Sequence, residues 1–473
     1  MPENSSQETS TESPIAFVLF GAAGDLAKRM VLPAFYELAT HGLLPTRWAL
    51  IGAGRRSWSD DEFRAHVRDS LNEFGSAPDD SDWEEFAGNL RFAGGGFTVD
   101  DPGAVLDVLG DYPKDTWQLV HYLAVPPTAF GPLTEAFGAH DLAAGSRVVY
   151  EKPFGTSRDS FHKLDKQVHD VFDEKQVFRI DHFLGKENTQ NLHVLRFANG
   201  LFTGVWNNRH VEQVQIDVPE TLNIDDRAKF YDSTGAVLDM VVTHLFQVAA
   251  EVAMEPPLSL SADDLQTARE SVIAAFRPLD PSEAVFGQYE GYRDVDGVAP
   301  DSTTETFIAL RMWVDTDRWH GVPFLLRTGK CLGRSAQRVN LVFRNPEDGP
   351  ITHIPADGNV LSFDLSGEGA IDLRMTIKKP GPGLSLSTAH MELPLKEVAD
   401  GLSPYSRLLS DVLRGDRSLF TRPDGLQHVW DVATPLIDNE GTPLPYPQGS
   451  MGPSEADTLA GPAGWVEPAP QHD

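Results

Sequence analysis

A glycine-rich turn near the N-terminus is the first segment whose residue types could do chemistry. It follows the apolar run Ile15–Phe20 with the spacing G-x-x-G-x-x-A, and its candidate residues are Gly21, Gly24, Asp25, Leu26 and Lys28. Backbone N–H groups of such a turn can approach a pyrophosphate, and the N-terminus of the following helix adds positive potential. The spacing is not the strict G-x-G-x-x-G, so a plain tight turn stays an alternative. Its position between a strand and a helix favours a dinucleotide.

The residues after the next apolar run indicate which dinucleotide. Trp48–Ile51 is followed by a second glycine turn and by Arg55 and Arg56, with no acidic residue before Asp60. A carboxylate at this place binds ribose hydroxyls and would repel a 2′-phosphate, whereas a guanidinium holds a phosphate in bidentate fashion. The pattern favours NADP over NAD. The alternative is an arginine pair exposed on a loop.

A third segment, Arg179–Glu187, places an acid, an imidazole and an ammonium within six residues. His182 and Lys186 can donate to a phosphate, and Asp181 can orient a base that lies elsewhere in the chain. An ordinary charged loop after a short strand is the alternative for these residues taken alone.

His244 lies in the apolar stripe of a predicted helix over Thr234–Met254. An imidazole there is a candidate general base, although a histidine in such a stripe is more often a hydrogen-bonded core residue. Asp239 stands five positions earlier, so in an α-helix it points to a different side and is not expected to be the partner of His244.

The elements that must position these residues differ between the two halves of the chain. Alternating strand and helix patterns in the first half predict a parallel sheet covered by helices, with ligands at the carboxyl ends of its strands. The strand candidates there are Ile15–Phe20, Trp48–Ile51, Leu119–Val125 and Arg147–Tyr150. A capping-box pattern at Ser59–Glu62 predicts the start of a helix. We expect the glycine turn and Lys152 to face one site, since both follow strands.

The second half shows period-two alternation, which predicts an antiparallel sheet with one face buried and one exposed. The alternating runs are Val214/Ile216/Val218, Ile308/Leu310/Met312/Val314, Val339/Leu341/Phe343 and Ile371/Leu373/Met375/Ile377. The predicted fold is an α/β Rossmann-type dinucleotide-binding domain plus a larger α+β domain with an extended, mainly antiparallel sheet. We expect a disordered tail over 1–12, the Rossmann domain over 13–187 and the α+β domain over 188–473.

Composition excludes several classes of protein. The 473 residues are more than one hydrophobic core usually serves, so two domains are expected. The 70 acidic against 39 basic residues give a formal charge of −31, which disfavours nucleic acid and anionic membranes as partners. The single cysteine, Cys331, permits no intrachain disulfide and suits the cytoplasm. We expect no membrane span, no signal peptide and no metal site, because no segment or His/Cys spacing of those kinds occurs.

Taken together, these segments resemble the glucose-6-phosphate dehydrogenase family over about residues 15 to 460. RIDHFLGKE from Arg179 is close to the family's signature segment. The other matching segments are GAAGDLAKRM from Gly21, GAGRRS from Gly52, YLAVPP from Tyr122, EKPFG from Glu151, YDSTGAVLDMVVTHLFQ from Tyr231, AMEPP from Ala253, GQYEGY from Gly287, GVPFLLRTGK from Gly321, KKPG from Lys378 and GPSEAD from Gly452.

The resemblance implies oxidation of glucose 6-phosphate to 6-phosphogluconolactone with NADP+, the first step of the oxidative pentose phosphate pathway. It also implies a homodimer or homotetramer formed through the large sheet, so that 188–473 would serve substrate binding and dimerisation. By the same resemblance, His244 would be the general base and Asp181 its orienting carboxylate. The implied substrate-binding residues are Lys152, His182, Lys186, Glu220, Asp239 and Lys330. The implied cofactor-binding residues are Gly21, Gly24, Asp25, Leu26, Lys28, Arg55 and Lys152.

The sequence departs from the family pattern at three places. Family members usually have Tyr where this chain has Phe183, a basic residue where it has Ser335, and an Arg-containing segment ending in Gln-Pro around 364–367. We expect the handling of the sugar phosphate to be altered in strength and not in kind, since one hydrogen bond to a charged group is worth about 1.5–3 kcal/mol.

Two other functions stay open on the sequence. One is an NAD(P)-dependent dehydrogenase of another sugar or sugar phosphate, against which His182 and Lys186 argue by providing for a phosphate. The other is a catalytically silent NADP-binding paralogue, against which the retention of both Asp181 and His244 argues.

Overall fold

The computed structural model describes residues 13–224, 227–346, 350–351, 353–355, 358–367, 369–397, 401–439 and 441–468. They divide into two compact units. The first contains the residues up to His182 and a later segment, Leu402–Thr421; the second contains Phe183–Gly401 and the residues from Arg422 onwards. The predicted domain limits at 187 and 188 stay a prediction, and the structure adds the return of Leu402–Thr421 to the first unit. The predicted tail, 1–12, lies outside the described residues.

Both units contain strands and helices. The strands are β1 (Ile15–Phe20), β2 (Trp48–Ala53), β3 (Leu90–Ala93), β4 (Gln118–Leu123), β5 (Arg147–Tyr150), β6 (Val177–Arg179), β7 (Val211–Pro219), β8 (Ala284–Tyr289), β9 (Phe307–Met312), β10 (Phe324–Gly329), β11 (Arg338–Phe343), β12 (Asn359–Asp364), β13 (Ala370–Lys378), β14 (Leu386–Pro394) and β15 (Leu444–Tyr446). The α-helices are α1 (Leu32–Thr40), α2 (Asp60–Phe74), α3 (Asp80–Ala87), α4 (Val105–Leu109), α5 (Phe130–Ala139), α6 (Arg158–His169), α7 (Glu187–Ala198), α8 (Gly200–Thr203), α9 (Ala228–Tyr231), α10 (Phe246–Ala253), α11 (Ala262–Ile273), α12 (Pro404–Arg414), α13 (Pro423–Ile437) and α14 (Glu455–Leu459). Two further stretches, Ala27–Val31 and Val237–Leu245, are wound as π-helix.

The first unit contains a six-stranded parallel sheet in the order β3-β2-β1-β4-β5-β6. Every residue of β1 is buried, as expected for an apolar strand covered on both faces. The strand order reverses between β1 and β4, and ligands of such sheets bind in the crevice at that point. The predicted Rossmann-type class is confirmed.

The helix after the glycine turn continues past Pro33. The π-helical turn Ala27–Val31 comes first, and its end is marked by the bond from Leu32 N–H to the Ala27 carbonyl. Pro33 therefore falls in the first turn of α1, where a missing N–H costs little.

The second unit contains a nine-stranded sheet in the order β14-β13-β12-β11-β7-β10-β9-β8-β15. The β10–β7 and β15–β8 pairs are parallel and the other pairs antiparallel, so the predicted mainly antiparallel sheet is confirmed.

The expectation of one exposed face is wrong for the centre of this sheet. Ile216 and its outward-pointing neighbours Gln215 and Asp217 are all buried. The reason is the C-terminal segment, since the side chain of Gln215 donates to the Gly464 carbonyl at 2.8 Å and accepts from Val466 N–H at 2.8 Å. The segment thus covers the face that period-two alternation assigns to solvent.

The predicted helix over Thr234–Met254 is present, but its winding changes along its length. Val237–Leu245 is π-helical, as the bond from Phe246 N–H to the Val241 carbonyl shows, and Phe246–Ala253 is α-helical. The predicted apolar stripe of this helix is buried. Among the described residues, no helix combines the length and apolar character that crossing a bilayer requires.

Candidate functional site

The glycine turn of the first unit brings two strand ends into contact. Gly21 has φ +81°, and a Cβ there would lie 2.2 Å from the carbonyl oxygen of Ala124, which follows β4. Gly24 N–H donates to the Gly21 carbonyl at 2.8 Å, and Lys28 N–H donates to the Gly24 carbonyl at 3.0 Å. Only glycine fits position 21, because the backbone there has a left-handed φ and the Ala124 carbonyl leaves no room for a Cβ. The turn lies at the crevice between β1 and β4, where a pyrophosphate binds in this fold class.

The two arginines after β2 are placed differently. The guanidinium of Arg56 lies over the ring of Trp58 at 4.7 Å, whereas no ion pair or hydrogen bond of the Arg55 side chain occurs among the described residues. The nearest acid is occupied elsewhere: Asp60 accepts from Phe92 N–H at 2.8 Å and pairs with Arg91 at 2.9 Å. With an exposed guanidinium and no available carboxylate, the donor set after β2 suits a 2′-phosphate.

Asp25, Leu26 and Lys28, which follow the glycine turn, have different surroundings. The Lys28 ammonium pairs with Glu73 at 2.6 Å and lies 5.2 Å from the ring centroid of Phe74. Asp25 is exposed and Leu26 is half-buried. A role of Lys28 in cofactor binding therefore requires that its ammonium leave Glu73.

His66 is a residue near the turn that sequence reasoning missed. It lies on α2, with its Nε2 3.2 Å from the Ala22 carbonyl oxygen and its ring 5.0 Å from that of Trp58. Burial lowers the pKa of His66, and the cations Lys28 and Arg56 lower it further. The available signal is its position three residues after Phe63, on the border of the apolar stripe of α2.

The end of β5 carries a buried carboxyl group beside Lys152. Glu151 accepts a short hydrogen bond from the Tyr122 hydroxyl on β4, and burial raises the pKa of Glu151. Lys152, which precedes a cis peptide bond to Pro153, is half-buried and lowers the same pKa by its charge. The structure thus places Lys152 at a strand end, as expected.

Tyr405 joins this group from the segment that returns to the first unit. Its ring is nearly parallel to that of His182, with centroids 6.5 Å apart, and burial together with the charges of Glu151 and Asp181 raises its pKa. Asp181 itself is 2% exposed. Sequence reasoning missed Tyr405, although apolar residues at helical spacing along Pro404–Arg414 predict the buried face of α12 on which it lies.

In the second unit, Phe183 lies close to both the candidate base and a candidate phosphate ligand. Its ring centroid is 4.7 Å from that of His244 and 5.0 Å from the Lys186 ammonium. His244 is fully buried. Lys186 donates to the Leu365 carbonyl at 2.8 Å and forms a short bond to Gln337. Leu365 belongs to the segment that departs from the family pattern, so this departure touches a predicted phosphate ligand.

Three predicted sugar-binding residues form one charged cluster in the second unit. The Lys330 ammonium forms a short ion pair with Glu220, lies 3.9 Å from Asp239 and stands 5.7 Å from the ring centroid of Tyr231. Their side chains are mostly but not fully buried, with 12% to 23% of each carboxylate and ammonium chain exposed. Two acceptors and one cation at the end of β10 suit a polyhydroxylated ligand.

The π-helical winding changes which side of the helix Asp239 faces. Hydrogen bonds from i to i+5 stack residues five positions apart above one another, so Asp239 and His244 lie one turn apart on one face. The expectation that Asp239 points to a different side assumed α-helical winding and is wrong. Because Asp239 also lies 3.9 Å from the Lys330 ammonium, this face carries both the candidate base and part of the charged cluster.

The second departure is Ser335, and the arginine beside it does not replace the missing cation. The Ser335 hydroxyl accepts from Thr221 N–H at 2.9 Å. The guanidinium of Arg334 lies 3.8 Å from Asp217 and forms a short ion pair with Glu467. Arg334 is thus held by one carboxylate on β7 and one in the C-terminal segment.

A buried carboxylate holds the far end of the helix that carries His244. Glu251 forms short ion pairs with Arg269 on α11 and His193 on α7, and both Glu251 and Arg269 are at most 2% exposed. Burial alone would raise the pKa of Glu251, but the interactions with Arg269 and His193 outweigh it and lower the pKa to about 2. The helix is therefore fixed to two neighbours by charge as well as by packing.

Comparison with known proteins gives matches over nearly the whole chain. The family models described as "Glucose-6-phosphate dehydrogenase, NAD binding domain" and "Glucose-6-phosphate dehydrogenase, C-terminal domain" match residues 18–191 and 193–466. The chain is 38% identical to "Glucose-6-phosphate 1-dehydrogenase 2" of Mycobacterium tuberculosis, covering 94% of this chain and 92% of the relative. It is 34% identical to "Glucose-6-phosphate 1-dehydrogenase" of Bacillus subtilis, covering 96% and 98%.

Two solved structures are similar in fold as well. The glucose-6-phosphate 1-dehydrogenase of Mycobacterium avium has a TM-score of 0.88 at 35% identity, covering 97% of this chain and 100% of that one. A glucose-6-phosphate dehydrogenase in complex with glucose 6-phosphate has a TM-score of 0.89 at 29% identity, covering 97% and 99%.

Proposed function

Because the chain belongs to the glucose-6-phosphate dehydrogenase family, we infer that it oxidises glucose 6-phosphate to 6-phosphogluconolactone with NADP+ as the hydride acceptor. This reaction is the first step of the oxidative pentose phosphate pathway. The observation that carries the inference is that both family models match, one after the other along the chain. The curated relatives are also named for this activity.

The proposed general base is His244. The anomeric hydroxyl is a weak acid, so removal of hydride from its carbon requires that a base take the hydroxyl proton as the transition state forms. A positioned imidazole contributes about 10²–10⁴-fold to the rate in such a role. The buried Asp181 carboxylate is proposed to orient the ring and to stabilise the imidazolium.

The proposed phosphate ligands are His182 and Lys186. Support for Lys186 comes from its ammonium, which is held in the second unit by Gln337 and the Leu365 carbonyl, both of them neutral groups. A phosphate would replace these neutral acceptors with a charged one, which forms hydrogen bonds about twice as strong.

The proposed ligands of the sugar hydroxyls are Glu220, Asp239 and Lys330. Their clustering and partial exposure support this role, since carboxylates accept from hydroxyl groups and the ammonium donates. Lys152 is proposed to contact both substrate and cofactor from the end of β5.

The proposed cofactor site comprises the glycine turn, with Gly21 and Gly24, and Arg55. The close contact of Gly21 with the Ala124 carbonyl and the free guanidinium of Arg55 among the described residues fit a phosphorylated dinucleotide. NADP+, when bound, supplies the acceptor for the hydride. Asp25, Leu26 and Lys28 remain proposed as flanking contacts.

We propose a homodimer or homotetramer formed through the large sheet. Strands β13 and β14 lie at its edge, and one face of this pair is apolar because Ile371 lies opposite Leu393 and Leu373 opposite Met391. The side chains of Leu393 and Met391 are 48% and 56% exposed, which is typical of a surface that a partner covers. The location is proposed as cytoplasmic, supported by the presence of only one cysteine, Cys331.

Initial rates with glucose 6-phosphate and with glucose, each with NADP+ and with NAD+, test the proposal. We expect rapid formation of reduced cofactor only with the phosphorylated sugar and faster turnover at low NADP+ than at low NAD+. Turnover of unphosphorylated glucose at equal efficiency would favour another sugar dehydrogenase. Binding of NADP+ without turnover of any hexose phosphate would favour the silent paralogue.

A further inference from the structure

A cavity of about 640 Å³ lies in the second unit, apart from every residue that the proposed reaction uses. It opens where β7 begins and β11 ends, beside the short helix α8. Its lining includes an apolar wall, formed by Leu201, Phe202 and Phe343, and the basic residues Arg209, His210 and Arg344. The volume falls within the roughly 300–1,000 Å³ of small-molecule sites.

The strand ends bring the cationic residues together. The pairing of β11 with β7 shifts register between Val342 and Phe343, and Arg344 N–H donates to the His210 carbonyl at 2.7 Å. A bulge of this kind redirects the side chains that follow it, and bulges recur beside binding sites. Arg209, which precedes His210, therefore stands at the same end of the sheet as Arg344.

Among the described residues, the two arginines of this cavity lack the carboxylate partners that other arginines of this acidic chain have. In the same unit Arg277 pairs with Asp315 and Arg318 with Glu255, whereas within the described ranges Arg209, His210 and Arg344 form no ion pair. Arg344 Nε donates only to a neutral carbonyl, that of Asn208, at 3.2 Å. Clustered cations repel one another, so an anion bound between them is favoured. Two arginines without carboxylate partners among the described residues are a local exception in a chain with formal charge −31.

The apolar wall of the cavity offers aromatic rings and aliphatic surface. Leu201 is 82% exposed, and Phe202 and Phe343 are half-buried at the cavity. Aromatic side chains bind a planar base by stacking, typically for about 1–3 kcal/mol per base in nucleic-acid sites. A phosphate would lie on the guanidinium groups, to which it bonds in bidentate fashion.

We propose that this cavity binds a nucleoside phosphate, with the base against the Phe202 and Phe343 wall and the phosphate on Arg209 and Arg344. The ligand must combine a planar ring and at least one phosphate, because the apolar wall suits a ring and the two arginines suit a phosphate. The site is independent of the proposed reaction, because Arg209 and Arg344 have no part in it.

Calorimetric titration of the full chain with adenosine 5′-monophosphate, without NADP+, tests this proposal, because NADP+ also carries a base and phosphates and would compete for the cavity. We expect binding that the double variant Arg209→Ala/Arg344→Ala weakens at least about tenfold, while the dehydrogenase rate with NADP+ stays within about twofold of the parent. Phe202→Ala should weaken it as well. Arg293→Ala, at a different surface groove beside Tyr292, is the matched control and should leave binding unchanged.

Adenosine and inorganic phosphate, titrated separately, complete the test, and each should bind at least about tenfold more weakly than the monophosphate. No binding of the monophosphate, or equal binding by the double variant, would overturn the proposal. Equal affinity for inorganic phosphate would also overturn it, since the apolar wall would then contribute nothing.

Discussion

The ring of Phe183 lies against the ring of His244, with centroids 4.7 Å apart and planes inclined by 33°. The same phenyl ring is 5.0 Å from the ammonium of Lys186, so one apolar side chain lies beside both the proposed base and a proposed phosphate ligand. A tyrosine is usual at this position in the family that the sequence resembles. The missing hydroxyl is therefore a defined change at the proposed substrate site.

Phe183→Tyr is expected to lower KM for glucose 6-phosphate by about tenfold or more, because a hydroxyl that donates to a phosphate contributes about 1.5–3 kcal/mol. The value of kcat should change little, since the ring still lies beside His244. Steady-state rates at fixed, saturating NADP+ measure both constants. Phe230→Tyr, at a more exposed phenylalanine of the same unit, is the control. An unchanged or higher KM for Phe183→Tyr would show that this position does not contact the phosphate.

Arg55→Ala should weaken use of NADP+ by about tenfold to a hundredfold in kcat/KM, because a charge-assisted bond to the 2′-phosphate is lost. Rates with NAD+ should be little affected, since NAD+ has no such phosphate. Arg56→Ala is the matched comparison, because the Arg56 guanidinium lies over Trp58 at 4.7 Å. The assignment fails if Arg56→Ala has the larger effect, or if both cofactors lose equally in Arg55→Ala.

Glu270 gives a dependence of stability on pH. Burial and the nearby charge of Asp424 raise its pKa to about 7, above the ordinary 4.5. Between these two values the unfolded chain ionises this carboxyl while the folded chain keeps it neutral. The free energy of unfolding therefore falls as pH rises through this window, by roughly 3 kcal/mol from this group.

Glu270→Gln should remove that loss. In urea unfolding, the free energy of unfolding of the variant should therefore rise relative to that of the parent between about pH 5 and about pH 8. The exposed Glu290→Gln serves as control and should follow the parent at both pH values. A constant difference between Glu270→Gln and the parent across the range would contradict the raised pKa.

Glu251→Gln is expected to destabilise the second unit by about 3–5 kcal/mol, because it removes the buried carboxylate with which both the Arg269 guanidinium and His193 pair. Glu255→Gln is the matched control. Its carboxylate pairs with Arg318 at the surface, with 55% of the glutamate side chain exposed, and such pairs are worth at most about 1 kcal/mol. Thermal unfolding of both variants measures the difference, and equal shifts would refute a structural role for the buried cluster.

The sequence alone predicts the elements whose pattern is local. Each strand of the first sheet that is expected before Lys152 is present, and the capping box Ser59–Glu62 forms as the spacing predicts. Gly21 is predictable because a tight strand-to-helix turn needs it. These features depend on neighbours within a few residues, so a single sequence contains their cause.

Features that depend on distant partners or on helix winding could not be predicted in this way. The position of Asp239 relative to His244 follows from i to i+5 hydrogen bonds, which no side-chain period distinguishes from an α-helix over so short a stretch. Tyr405 joins the first unit only because its segment returns there. The buried Gln215 depends on the C-terminal segment that covers it.

The most direct test of the central claim is kcat of His244→Asn with glucose 6-phosphate and NADP+, followed by the absorbance of the reduced cofactor. Asparagine keeps a polar side chain of smaller size but cannot accept the hydroxyl proton as imidazole does. We predict a fall in kcat of about 10²–10⁴-fold with the dissociation constant for NADP+ unchanged. A kcat within about threefold of the parent, in a variant whose thermal midpoint matches the parent's, would contradict His244 as the general base.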